Sequence, residues 1–269
     1  MLLTTRIGRL FRYALFDPRN LNYNWVWTGG SGTGKTFAVQ RLIQDQLSLG
    51  TKIWTLDTGS SYLAAAQAAG AQIIDFDFYS EVSLNPFTKI SDIDREIELI
   101  LPIIGKMAKP QAGLDDTQRA LAEEAVKSVY ANKGNQAEIT DVIQFLNNQT
   151  GRMADQQHQL AMLLSPFGST GSMGRWFRGE NNFRTEADWT VIELSGLTTN
   201  KHLCDVVLMM LSTTIAQEMF TRRDGRRRML VVEEGGDRVT DEPFAKFIAQ
   251  LNSKVRKEDG SGGVVVQTF

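Results

Sequence analysis

Cysteine is nearly absent from this chain of 269 residues, in which Cys204 is the only one. A single cysteine excludes an internal disulfide and indicates a reducing compartment. Its place in an apolar helical stretch predicts a small buried side chain. The two histidines, His158 and His202, have no cysteine or acidic residue at the spacing of metal ligands, so the sequence predicts no zinc site.

The chain also lacks a long apolar run and a strong excess of one charge. No stretch of about twenty apolar residues is present, which argues against a transmembrane helix. Arg6, Arg9 and Arg12 interrupt the mildly apolar start, so no signal peptide is predicted. The net charge is only −2, which speaks against a general nucleic-acid-binding surface but leaves a local basic channel open. We therefore expect a cytoplasmic protein, and peripheral attachment to a membrane through partners stays open.

One glycine-rich segment has residues that suit a triphosphate. Residues 29–36 read Gly29-Gly30-Ser31-Gly32-Thr33-Gly34-Lys35-Thr36 and fit the P-loop pattern. In such a loop the backbone N–H groups surround the phosphates, the lysine reaches the β/γ oxygens, and the threonine hydroxyl binds Mg²⁺ at the start of a helix. A β-rich segment at 24–28 precedes the loop, and a helical pattern follows over 37–49. The segment therefore predicts a site for ATP and Mg²⁺.

Two acidic residues follow an apolar strand late in the chain. Residues 229–232 predict a buried strand, and Glu233 and Glu234 come directly after it. A P-loop enzyme needs one carboxylate at Mg²⁺ and usually a second to orient the attacking water. By position, Glu233 is predicted to hold Mg²⁺ with Thr36, and Glu234 to act on the water; the alternative is that both are solvated turn residues. Gln267, at the end of the last strand, is a candidate sensor of the γ-phosphate.

Strand and helix patterns alternate in the first and last parts of the chain, which predicts an α/β fold with a mainly parallel sheet. Strands are predicted at 52–57, 72–78, 190–194 and 264–266. Between them the pattern is mostly helical, so we expect a core of residues 1–88 and 188–269 with a mainly α-helical insertion at 89–187. In the insertion, Ser91 and Thr140 are predicted to cap helices, and Pro102 to kink or end one.

Basic residues form two groups near the acidic strand. Arg222, Arg223, Arg226, Arg227 and Arg228 precede it. They are predicted to form a solvated loop at the sheet edge opposite the nucleotide, with a subunit or nucleic-acid contact as the alternative. Arg256, on the helix after the strand, is either a surface charge or an arginine that reaches the γ-phosphate of a neighbouring subunit.

Together these motifs resemble the ATPase domain of TraC-type conjugation proteins, the VirB-class ATPases of type IV secretion systems. The likeness covers nearly the whole chain and includes the segments 22–24, 29–36, 56–62, 84–87, 174–179, 192–197, 205–210, 226–234, 254–257 and 262–267. It implies a RecA-like P-loop NTPase core with an inserted all-α subdomain and a ring-forming hexamer. It also implies partners among inner-membrane secretion components, a DNA or protein substrate, and a place at the cytoplasmic face of a bacterial inner membrane. Relatives of this kind carry further domains, so a fragment of a larger product or a truncated relative is expected.

The chain departs from that family's pattern at two points. Glu233-Glu234-Gly235-Gly236 stands where the family usually has Asp-Glu-Ala-Trp, and Val266-Gln267 stands where it commonly has Thr-Gln. Glu233 is one methylene longer than aspartate, so ATP binding is expected to survive better than turnover.

The leading hypothesis is an ATP-hydrolysing motor that drives pilus or channel assembly or substrate transfer. One alternative is a DNA-translocating ATPase of the FtsK/HerA or coupling-protein kind. The other is a truncated nucleotide-binding subunit with weak or no turnover.

Overall fold

A computed structural model describes residues 1–5, 7–77, 79–221, 224–234 and 260–267, together with 246, 248, 249, 253 and 255. The chain divides into two compact units. The sheet unit contains residues 1–77, 185–198 and 214–269, and the helical unit contains residues 78–184 and 199–213.

The sheet unit contains a six-stranded sheet whose adjacent strands are all parallel. Its strands are β3 (Trp25–Gly29), β4 (Lys52–Asp57), β5 (Gln72–Asp75), β6 (Trp189–Glu193), β7 (Arg228–Glu234) and β8 (Ser261–Gln267), in the order β3-β8-β7-β4-β6-β5. This confirms the predicted α/β class with a mainly parallel sheet. A short antiparallel hairpin, β1 (Leu2–Thr4) with β2 (Leu10–Arg12), was not predicted.

The central strands are buried along their whole length. All six residues of β4 and all five of β6 are buried, as expected for parallel strands that are covered on both faces. On one face, α1 (Lys35–Leu47) contributes Val39, Leu42 and Ile43 to a core that includes residues of β3, β4, β6, β7 and β8. The short helix α2 (Leu63–Ala68) adds Ala66 to the same core. The P-loop helix is thus held firmly against the sheet.

The helical unit is built mainly from α-helices. They are α3 (Ile93–Ala108), α4 (Asp116–Lys133), α5 (Ile139–Asn147) and α6 (Ala154–Leu164), followed by the first part of α7 (Lys201–Thr221). Cys204, on α7, is buried as predicted. Among the described residues, no helix is long and apolar enough to cross a membrane.

Two predicted helix caps are wrong, and Pro102 does not end its helix. Asp92 caps α3, because its carboxylate accepts from the N–H groups of Asp94 (3.1 Å) and Arg95 (3.3 Å). Ser91 instead donates its hydroxyl to Glu96 Oε1 (2.9 Å). Pro102 lies inside α3, which continues to residue 108.

The second wrong cap is that of α5. The helix begins after Glu138, whose N–H donates to Asp141 Oδ2 (2.9 Å), rather than at Thr140. The hydroxyl of Thr140 accepts from the N–H of Ser169 (2.8 Å) in the helical unit. Local patterns thus located these helices correctly but placed their first residues one or two positions away.

Candidate active site

The P-loop connects the end of β3 to the first residue of α1, and its backbone requires glycine. Gly32 and Gly34 have φ values of 72° and 83°, in the left-handed region that only glycine enters without strain. A Cβ atom on Gly29 would lie 2.9 Å from Thr33 Oγ1. The Thr33 hydroxyl donates to the carbonyl of Gly30 (2.8 Å). These contacts give the loop a compact shape at the N-terminus of α1, where helix N–H groups favour an anion.

The two side chains at the start of α1 point to different partners. Lys35 Nζ donates to the carbonyls of Gly29 and Gly30, at 2.7 Å each, so the ammonium group lies over the loop. Thr36 Oγ1 donates to Glu233 Oε1 (3.2 Å). This contact joins residues 197 positions apart in the sequence. The structure therefore brings the P-loop and the acidic strand together.

Strand order explains how these distant residues meet. β8 lies between β3 and β7, with Gly29 paired with Gln267 and Glu234 paired with Val266. Because all three strands are parallel, their carboxyl ends lie at the same end of the sheet. The backbones of Glu234 and Gln267 lie at this end. Their side chains, and the whole of Arg256, lie outside the part of the chain that the structure describes.

Glu233 is partly buried, and both of its carboxylate oxygens accept hydrogen bonds. Oε1 accepts from Thr36, and Oε2 accepts from the hydroxyl of Tyr62. Burial raises the pKa of Glu233 above its ordinary value, and the nearby Asp57 carboxylate adds to the rise, while the bonds from Tyr62 and Thr36 and the charge of Lys35 oppose it. A cation at close range stabilises the charged form of such a carboxylate.

A turn after β4 completes the surroundings of Glu233. The fully buried Asp57 accepts from the N–H of Gly59 through Oδ1 (3.0 Å) and from the N–H of Tyr62 through Oδ2 (3.1 Å). Gln40, on α1, donates to the carbonyl of Ser61 (2.9 Å). A role for this turn at the site was not predicted. The available signal was an aspartate at the end of an apolar strand, followed by glycine and serines.

A second buried carboxylate lies on the other side of Asp57. Glu193 ends β6, opposite Asp57 in the register, and is 2% exposed. Its Oε1 accepts from the N–H of Ser195 (2.8 Å), and its Oε2 has no hydrogen-bond partner among the described residues. Burial is the main cause that raises the pKa of Glu193, and Asp57 contributes, while hydrogen bonds from Ser195 and Ser60 oppose the rise. Glu193 was not predicted as a site residue.

Arg226, Arg227 and Arg228 lie at the opposite end of the sheet, because β7 begins with Arg228. The predicted solvation is wrong for Arg228, whereas Arg226 is partly exposed and Arg227 is exposed. Arg228 is 6% exposed and pairs with Asp224 (2.6 Å). Arg226 pairs with Asp188 (2.8 Å) and donates to the carbonyl of Gly50 (2.6 Å). Arg222 and Arg223 lie outside the described residues.

The donors around Thr36 and Glu233 suit Mg²⁺. A threonine hydroxyl and a carboxylate are oxygen donors, and Mg²⁺ is commonly bound by one or two carboxylates together with substrate phosphates. The arrangement defines a P-loop nucleotide-binding protein. It consists of a parallel sheet, a glycine loop between one strand and the helix that follows, and a carboxylate that contacts the threonine of the loop.

Comparison with known proteins places the chain within this class. Residues 17–269 match the TraG P-loop domain family, to which the chain therefore belongs. It is 29% identical over 225 residues to protein TraC of Escherichia coli (strain K12), a match that covers 80% of this chain and 25% of TraC. The chain thus spans a quarter of the length of that relative.

Solved structures show the same fold. The structure is similar to VirB4 of Thermoanaerobacter pseudethanolicus, with a TM-score of 0.75, 17% identity, and coverage of 100% of this chain and 76% of that chain. It is also similar to the plasmid coupling protein TrwB in complex with ADP and Mg²⁺, with a TM-score of 0.59, 13% identity, and coverage of 91% and 63%. The chain is therefore a TraC- and VirB4-like P-loop domain with a mainly parallel sheet.

Proposed function

We propose that this protein is the ATP-binding and ATP-hydrolysing motor of a conjugative type IV secretion system. The observation that carries the proposal is the contact between Thr36, at the end of the P-loop, and Glu233, at the end of β7 (3.2 Å). Membership of the TraG P-loop domain family and the similarity to TraC support the assignment to a conjugation system.

Each residue of the site has a separate role. The amides of Gly29, Gly30, Ser31, Gly32, Thr33 and Gly34 bind the phosphates of ATP, and Lys35 binds the β/γ oxygens. Thr36 and Glu233 hold Mg²⁺, which when bound neutralises negative charge on the phosphates. Glu234 orients the attacking water for in-line displacement, and Gln267 senses the γ-phosphate from the end of β8.

Further parts of the proposal concern assembly. Residues 89–187 form an α-helical insertion in a RecA-like core of residues 1–88 and 188–269. The domain works in a hexameric ring, in which Arg256 of one subunit acts on the nucleotide of its neighbour. The ring lies at the cytoplasmic face of the inner membrane with other secretion components and moves a DNA or protein substrate. The complex of TrwB with ADP and Mg²⁺ supports the choice of Mg²⁺ as the metal.

The test compares two site variants with two surface variants. Lys35→Ala is expected to abolish ATP binding measured by calorimetry, because it removes the cation that meets the phosphates. Glu234→Gln is expected to keep binding but to lower phosphate release by at least about 10²-fold. Lys201→Ala and Glu124→Gln, at exposed positions, are controls that should change neither. Normal turnover in either site variant refutes the role given to that residue.

The same fold also suits a DNA-translocating ATPase, since TrwB is a coupling protein. Single- or double-stranded DNA that binds in a salt-dependent manner and stimulates turnover would favour that alternative. A nucleotide-binding subunit without turnover would instead bind ATP and release no phosphate. The glutamate at 233 and the glycines at 235 and 236 keep this second alternative open.

A further inference from the structure

Tyr62 is a fully buried side chain at the end of the sheet that carries both the P-loop and the carboxyl end of β7. It follows the turn after β4, and its hydroxyl donates to Glu233 Oε2. The other oxygen of that carboxylate accepts from Thr36. The orientation of Glu233 is therefore set from two sides, once by the P-loop helix and once by the turn after β4.

The position of Tyr62 is itself well determined. Its N–H donates to Asp57 Oδ2 (3.1 Å), and the other oxygen of Asp57 accepts from Gly59 (3.0 Å). The preceding residue, Ser61, accepts at its carbonyl from Gln40 of α1 (2.9 Å). The turn is thus tied both to the end of β4 and to the helix that carries Lys35 and Thr36. A buried, backbone-anchored tyrosine loses little freedom when it forms a hydrogen bond, so it can hold a partner in place.

The Glu233 side chain is long, and its contact with Tyr62 restrains it. A glutamate has one more rotatable bond than an aspartate, so its carboxylate samples more positions unless something restrains it. Residues that hold a metal ligand by a hydrogen bond orient it and tune its affinity for the metal. We propose that Tyr62 is a positioning residue, which orients the Glu233 carboxylate for the Mg²⁺ that accompanies the nucleotide.

This role rests on the proposed function, because it concerns the same metal-nucleotide site. The first experiment titrates ATP into the full chain by calorimetry, once with EDTA and once at increasing MgCl₂ concentrations. Tyr62→Phe removes only the hydroxyl. We expect it to raise the half-saturating Mg²⁺ concentration by about tenfold and to leave ATP affinity in EDTA within about twofold.

A matched control is available in the helical unit. The hydroxyl of Tyr130 lies within hydrogen-bond distance of two acceptors, the carbonyl oxygen of Ile90 (3.1 Å) and Asn135 Oδ1 (2.9 Å). Tyr130→Phe therefore also removes one bonded hydroxyl, and it should change neither quantity. An unchanged Mg²⁺ requirement in Tyr62→Phe overturns the proposal. So does an equal loss of ATP affinity with and without Mg²⁺, because that result indicates a structural role only.

A second experiment tests whether the effect of Tyr62 depends on the length of the side chain at position 233. In Glu233→Asp the carboxylate is withdrawn by one methylene from the Tyr62 hydroxyl. Adding Tyr62→Phe to that variant should then change the half-saturating Mg²⁺ concentration by less than about twofold, against about tenfold in the wild-type background. Equal effects in both backgrounds contradict the proposed link.

A third measurement separates this inference from the proposed function. Chemical unfolding of the unliganded protein is compared for the wild type, Tyr62→Phe, Glu233→Gln and the double variant. Contacting residues are expected to give non-additive changes in the midpoint of unfolding, and additive changes overturn the contact. A wild type that binds no ATP overturns the proposed function and the Mg²⁺ role together, whereas normal ATP binding with additive unfolding overturns only the inference.

Discussion

At the scale of single residues, the candidate site is a row of carboxylates at the ends of neighbouring strands. Asp57 ends β4, Glu193 ends β6, and Glu233 lies near the end of β7. Asp57 is satisfied by two backbone N–H groups, whereas one oxygen of Glu193 has no partner among the described residues. The charge of Glu193 is therefore a cost to the folded state rather than a gain.

The raised pKa of Glu193 makes stability depend on pH in a definite direction. Because burial raises this pKa in the folded protein, the folded state binds a proton more tightly than the unfolded state. The resulting stability is fully present below the unfolded pKa of about 4.3 and is lost as the pH rises through the folded pKa.

We predict that Glu193→Gln removes this pH dependence. At pH 8 its melting temperature should exceed that of the wild type by roughly 2–4 °C, the shift that about 1 kcal/mol produces in a protein of this size. Near pH 4.5 the two proteins should melt alike. Glu186→Gln, at an exposed position of the same unit, should match the wild type at both pH values. A difference at pH 4.5 as large as at pH 8 would contradict the assignment.

At the scale of elements, the pairing of β3 with β8 places the P-loop. Trp25 is paired with Gly263, and a Cβ atom on Gly263 would lie 2.0 Å from the Trp25 ring. The glycine is thus required by the close approach of the indole ring. Any larger side chain would push β3, and the loop that follows it, away from β7.

We predict that Gly263→Ala lowers the free energy of unfolding by about 1–3 kcal/mol, the usual cost of overpacking. It should also weaken ATP binding, because β3 carries the P-loop. Urea denaturation and calorimetry measure the two effects. Gly105→Ala is the control, since Gly105 lies inside α3, where alanine is favoured, and its Cβ would lie at an ordinary contact distance of 3.5 Å from the Leu114 side chain. Equal stability of the two variants would show that β3 and β8 tolerate separation.

The helices and strands also show which structural features the sequence patterns predict correctly. The strand predicted at 52–57 is confirmed residue by residue as β4, because its run of residues that favour strands coincides with a segment buried on both faces. The caps of α3 and α5 were misplaced, because several adjacent residues can each cap a helix and only side-chain geometry selects one. Asp92 was selected over Ser91 in this way. The segment 78–88 contains no strand among its described residues, and β5 ends at Asp75 rather than at the predicted Phe78.

At the scale of the whole molecule, the strand order decides which distant segments share the site. Residues 29–36, 57–62 and 233 come from three parts of the sequence, and each lies at the carboxyl end of a strand in the sheet unit. The contacts Thr36–Glu233 and Tyr62–Glu233 join all three.

We predict that Mg²⁺ and ATP slow amide hydrogen exchange in all three segments together, because a ligand that binds only the folded site reduces its local opening. Hydrogen exchange followed by mass spectrometry measures this. Lys35→Ala should show no slowing in any segment. Slowing confined to residues 29–36 would contradict the joint site.

The chemistry of the P-loop, the α/β class and the acidic strand could all be predicted from the amino-acid sequence, because each is specified by adjacent residues: glycines at fixed spacing, apolar runs, and acids at a strand end. Three other relations became visible only in the folded chain: β8 separates β3 from β7, Tyr62 meets Glu233, and Glu193 is buried beside Asp57. These relations join segments far apart in the sequence; Tyr62 and Glu233, for example, are 171 positions apart. They depend on strand order and on the path of a turn, which no local pattern of residues specifies.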